Sequence, residues 1–167
     1  MIYKLTDHKN RTKYNTAWGP GVTHTADGYS TELCNEHFVH AYADPYLAVL
    51  MNPVHANIKN PKLWECEGVV KIEQPDKLGC TSLTTLREIP LPVITTAKCR
   101  KFALLCTMEV YPLRQIYDID GVWLEWSKIR DKTRAARAAE AAARAAAWAD
   151  NKINLVKLAQ EACKEAK

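Results

Sequence analysis

Residues 1–94 carry apolar positions in short runs that alternate with polar ones, the period of half-buried strands. Ile2-Tyr3-Lys4-Leu5 predicts a first strand. Trp18-Gly19-Pro20-Gly21 is a turn cluster, followed by a strand-like segment from Gly21 to Thr25 and an Asp27-Gly28 turn. Tyr29 to Cys34 alternates again. Asp44-Pro45 then opens a helix, with Asp44 as N-cap and Pro45 in the first helical position. That helix covers Tyr46 to Met51 and is expected to close at Asn52-Pro53. Trp64 to Ile72 is the best strand of the chain, Gln74 to Lys77 a turn, and Ser82 to Arg87 a further strand or the start of a connection. Pro90 and Pro92 keep that connection extended.

The period then changes. Thr95 or Thr96 caps a helix reaching to about Val110, with Cys99, Phe102, Ala103, Cys106 and Val110 at helical spacing and Pro112 expected to stop it. Tyr117 to Trp126 fits neither period, and Asp120-Gly121 offers a turn. Residues 135–149 hold 11 alanines in 15 positions, and no Gly or Pro occurs from 122 to 167. Alanine has the highest helix propensity, so a helix is expected here, supported by the i,i+4 pair Glu140–Arg144. Asp150-Asn151 marks a possible bend, after which Ile153, Val156, Ala159 and Cys163 form a second apolar stripe. Unbroken from 127 to 165, the helix would span roughly 60 Å. These patterns predict an α+β fold: a small mixed or antiparallel sheet with one or two helices over residues 1–120, then a long C-terminal α-helical arm over residues 121–167.

Composition sharpens that division. The 167 residues are 47% hydrophobic and 25% charged, a globular balance. No run of 18 apolar residues exists, so no membrane-spanning helix is expected. The first seven residues contain no signal-peptide apolar run, which points to a cytoplasm. The net charge is +4. Residues 1–126 hold 13 Lys/Arg against 14 Asp/Glu, and residues 127–167 hold 10 against 5, so the whole positive excess belongs to the C-terminal segment. The six cysteines form no Cys-x-x-Cys pair and read as free buried thiols.

Three groups of residues carry candidate chemistry. Arg130, Arg134, Arg137 and Arg144 lie on one helical face that Trp148 continues. That stripe could track phosphates with Trp148 on a base, or meet a host protein, or simply keep an alanine helix soluble. Self-association through this helix, using Trp148, Ile153, Leu155 and Val156, is a further reading, giving a homo-oligomer. Cys34, His37 and His40 are spaced Cys-x2-His-x2-His, with His24 upstream. Zinc wants four such ligands and a fourth is not evident, so ordinary buried or hydrogen-bonded roles are expected and no metal. Finally, Glu65 and Glu67 share one face of the best strand, an unusual place for two carboxylates where burial is expected. With Ser30-Thr31 they resemble the Ser-Thr-x and Glu-x-Glu elements of ADP-ribosyltransferases. The resemblance implies NAD as cosubstrate, Glu67 as the catalytic residue on the ribose hydroxyl, Glu65 orienting the acceptor and Ser30 supporting the glutamate. The first-strand arginine or histidine of that family has only Lys4 or Tyr3 to match it.

A broader resemblance covers most of the chain. Leu33-Cys34, Phe38, His40-Ala41, Asp44-Pro45 and Ala48-Val49-Leu50 resemble the motif of an uncharacterised family of phage and prophage proteins. Those proteins carry a leucine-cysteine pair, a phenylalanine-histidine or similar pair with a small residue, and a proline-led short helix. The family's glycine before its phenylalanine-histidine is replaced here, with His37 before Phe38 and Val39 inserted before His40. The segments Glu65-Cys66-Glu67-Gly68, Asp76-Lys77 to Glu88-Ile89 and the alanine-, arginine- and tryptophan-rich tail are similar as well. The resemblance implies a bacteriophage origin and action in the host bacterial cytoplasm, and it implies no chemistry. The leading expectation is therefore a phage accessory protein without a cofactor that binds a host protein or nucleic acid and no membrane. It would inhibit a defence or redirect a host process.

Overall fold

Two long strands supply the frame on which everything else is hung. The computed structural model describes residues 1–117 and 153–164. Its sheet comprises β1 (Ile2–Thr6), β2 (Thr23–Thr25), β3 (Val39–Ala41), β4 (Lys62–Glu73) and β5 (Leu78–Ile89). The order is β1-β4-β5-β2, with β3 also on β5, and every pairing is antiparallel. The helices among the described residues are α1 (Pro45–His55), α2 (Thr96–Tyr117) and α3 (Leu155–Cys163). The α+β class holds, with an antiparallel sheet.

The β4–β5 ribbon closes at Gln74, whose N–H donates to the Lys77 carbonyl at 3.0 Å. Three register shifts along it, at Glu65/Cys66, Val69/Val70 and Val70/Ile72, add local twist. Gly68 crosses β5 so closely that any Cβ there would collide with the Ser82 carbonyl. β1 pairs only with residues 62–66 of β4, so residues 67–73 run on as an open edge with Val69 and Val70 exposed.

Period-two alternation sends side chains into two separate clusters. Tyr3, Leu5 and Leu63 join the larger one with α1, α2 and α3. Ile2, Trp64 and Cys66 join the smaller one, with Trp18, Ala41, Leu78, Cys80 and Leu83. Asp44 caps α1 as the sequence predicts: its Oδ1 accepts the N–H groups of Tyr46 and Leu47 at 2.8 and 3.0 Å.

Four expectations are corrected. Asn52-Pro53 does not close α1, which runs on to His55. A proline in the last turn forfeits one donor, and the Asn52 side chain ties both the carbonyl and the N–H of Ile58 at 3.0 Å. Pro112 likewise lies inside α2. Tyr29 to Cys34 is not a strand, because local bonds of Ser30 and Asn35 compete with sheet pairing. The C-terminal segment is not one unbroken helix to residue 165: its described part, residues 153–164, is the nine-residue helix α3, which starts afresh at the Asn154 cap and packs on α1 and α2. Leu155, Leu158, Ala159, Ala162 and Cys163 are buried there, as is Ile153 just before it. Gln160 Nε2 donates to Asp44 Oδ2 at 2.8 Å, and Lys101 Nζ donates to the Glu161 carbonyl at 2.7 Å. The arginine stripe Arg130, Arg134, Arg137 and Arg144, and Trp148, lie outside the described residues.

Candidate functional site

The strand pairing decides where the two glutamates go. Glu65 stands opposite Arg87 and Glu67 opposite Thr84. Glu65 is largely buried and its carboxylate accepts from Arg87 Nε across the strands. Its charge, after burial itself, helps push the Tyr3 phenol above its ordinary value. Glu67 is exposed on the open part of β4. Ser30 sits in the loop that docks on β5 through the Ala26 N–H and the Thr81 carbonyl. Thr81 and Arg87 are six residues apart on one strand, roughly 20 Å. Ser30 Oγ is engaged locally, accepting from Glu32 N–H and Asn35 Nδ2 and donating to the Glu32 carbonyl. The fold thus anchors the Ser30 loop far along β5 from Glu65. An open hollow of about 360 Å³, lined by Pro61, Lys62, Leu63 and residues 88–91, borders none of the three.

The cysteine and histidine group is dispersed in the same way. Cys34 Sγ meets Lys77 Nζ at 2.6 Å, His37 Nδ1 meets Asp27 at 2.7 Å, His40 Nε2 meets the Leu33 carbonyl at 2.6 Å, and His24 Nε2 meets the Ala17 carbonyl at 2.8 Å. No cluster of three metal-ligating side chains exists among the described residues. A histidine outside that group is more fully built in. His55, at the end of α1, joins Tyr42 Oη at 3.1 Å to Asp76 Oδ2 at 3.0 Å. Burial acts to raise the Asp76 carboxyl, but the hydrogen bond and charge of His55 outweigh it and hold the carboxyl below its usual range. Burial drives the Tyr42 phenol well above its own. This chain pins α1 to the β4–β5 turn. Lys4 is buried in the smaller cluster, its Nζ donating to the His40 carbonyl at 2.6 Å and lying 4.8 Å from the Trp18 ring centroid. Burial pulls its ammonium down to about 8.

The loop between β1 and Trp18 has a different character. Asp7 Oδ1 accepts the backbone N–H groups of Lys9 and Arg11, both at 2.8 Å, and Arg11's N–H leads in holding the Asp7 carboxyl below its ordinary value. Thr12 N–H reaches the Thr16 carbonyl at 3.0 Å, and Trp18 Nε1 reaches Thr12 Oγ1 at 3.0 Å. Asn10, Tyr14 and Asn15 all take left-handed backbone, with φ of 59°, 60° and 62°. Asparagine tolerates this conformation, but tyrosine adopts it at a cost of about 1–2 kcal/mol. The Tyr14 ring is 88% exposed, so no burial offsets that cost. Lys13 Nζ lies 5.0 Å from its centroid, and Lys9 and Arg11 are exposed on the same loop. The alternating bases Lys9, Arg11 and Lys13 are legible as a charge pattern. The left-handed tyrosine is not, because tyrosine is not a residue that signals positive φ.

The chain matches no family model, no curated protein and no solved structure. No helix among the described residues is long and apolar enough to cross a membrane.

Proposed function

We propose that this is a phage accessory protein that acts by binding a component of the bacterial host, in the host cytoplasm, to inhibit a defence or redirect a host process. The observation that carries the reading is how the fold uses its side chains. Several groups able to do chemistry are engaged within the fold: Glu65 with Arg87, His55 with Tyr42 and Asp76, and Ser30 with Glu32 and Asn35, while Glu67 is exposed. Large side chains stand in solvent instead, Tyr14 and Tyr29 at 88% and Val93 at 76% exposure. Exposed rings such as Tyr14 and Tyr29 offer a partner apolar area with a polar handle. The phage-like pattern around Leu33-Cys34, Phe38 and Asp44-Pro45 supports the host setting.

The test is affinity capture from bacteria expressing the tagged chain, with and without nuclease. A reproducibly enriched host protein or nucleic acid is expected, and recovery of neither refutes the reading. Incubation with labelled NAD and host lysate is the counter-test. Transfer of label that Glu67→Gln abolishes would replace the binding reading with an enzymatic one.

A further inference from the structure

Residues 7–17 combine three properties that rarely coincide by accident. The loop is cross-tied by the Asp7 carboxylate, the Thr12–Thr16 bond, the Thr16 hydroxyl on the Lys13 carbonyl and the Trp18 indole. It holds a tyrosine in left-handed backbone with its ring in water. It sets Lys13 against the ring and carries Lys9 and Arg11 beside it in the chain, all three exposed, while one oxygen of the loop's carboxylate, Asp7, is held by two backbone N–H groups. We infer that this loop is a binding surface for single-stranded nucleic acid, with Tyr14 stacking on a base and Lys9, Arg11 and Lys13 against phosphates.

The chemistry selects this partner. Three exposed cations on the loop that carries the ring, one of them against it, complement a phosphate backbone that carries a base at each step. An apolar protein anchor would want other apolar side chains beside the ring, and the loop offers none. A duplex hides its base faces in the stack, so a projecting ring reaches them only in single strands. The loop backbone is tied by hydrogen bonds, so it has little backbone freedom to lose on binding. Arg11 also donates to Asn15 Oδ1, which orients its guanidinium within the loop.

This inference rests on the host-binding reading and names the partner's class. The experiment is fluorescence anisotropy of the full chain with labelled oligo-dT and oligo-U, against a duplex of equal length, over a series of salt concentrations. Binding is expected to prefer single strands and to weaken with salt, with a log–log slope of about −2 for three phosphates. Tyr14→Asn is expected to weaken binding roughly tenfold, the worth of one stacked base, while Tyr14→Phe retains it. Tyr14→Asn is also expected to leave Tm unchanged or raised, since asparagine accepts the left-handed backbone; a purely structural tyrosine would show the reverse. Lys13→Glu is expected to weaken binding and flatten the salt slope. The inference is overturned by absence of oligonucleotide binding at low salt, by equal preference for duplex, or by binding that Tyr14→Asn and Lys13→Glu leave intact while charge reversal at Arg134 and Arg137 removes it. Capture of a host protein without oligonucleotide binding sinks the inference and leaves the broader reading standing; failure of both sinks both.

Discussion

Lys4 shows what a single side chain can cost and how that cost is exposed. Its ammonium is buried and lowered to about 8, against 10.5 for a free lysine. Between those values the unfolded chain holds a proton that the folded chain has released, so this group's contribution to stability rises with pH across that window. Below about 8 the charged form is the one buried and the penalty is fully present. The difference in Tm between the wild type and Lys4→Met should therefore shift in favour of the wild type as pH rises from about 8 toward 10. A constant difference would show that Lys4 does not titrate there. Taking the difference removes the opposing effect of Cys66 and Cys80, whose thiols burial pushes up to about 12 and about 11. The alternation Ile2-Tyr3-Lys4-Leu5 put Lys4 on a strand, but its burial depends on Trp18 and His40 arriving from distant segments. The Glu-x-Glu spacing likewise put Glu65 and Glu67 on one strand face, yet the partner of Glu65 comes from β5, whose register no local pattern encodes.

Among elements, the junction of α1 and α3 is the most informative. One Asp44 oxygen caps α1 and the other accepts from Gln160, 116 residues away. Asp44→Ala should destabilise by about 1–2 kcal/mol through the cap alone. A double-mutant cycle with Gln160→Ala should give a coupling of about 1 kcal/mol by denaturant unfolding, and additivity would show that the bond contributes nothing. The cap was legible because Asp-Pro is a local signal read within three residues. The strand β3 was not, since three residues carry too little period to recognise, and it exists because β5 offers it an edge. Pro53 and Pro112 were read as stops because proline is locally unfavourable in a helix. For Pro53, the packing of α1 in the larger core outweighs that local penalty.

At the scale of the molecule, charge and alanine content drew a line near residue 120, and the apolar stripe beyond it was read without its destination. Stripe residues Ile153 and Ala159, with neighbouring Leu155, complete a core begun by Leu5, Leu47 and Phe102. Leu155 is wholly buried, so Leu155→Ala should cost about 2–5 kcal/mol, seen as a lower denaturant midpoint with unchanged slope. An effect under about 0.5 kcal/mol would mean α3 is not part of the cooperative unit. Periodicity could show that this helix has an apolar face but not what the face meets, because the partner surface is assembled from three distant segments, β1, α1 and α2. That arrangement also sets a clock during synthesis. After Tyr117 is made, a ribosome adding roughly 5–20 residues per second needs several seconds to reach Cys163. Throughout that interval the faces of α1 and α2 that α3 covers in the finished protein are without it, an exposure that belongs to synthesis alone.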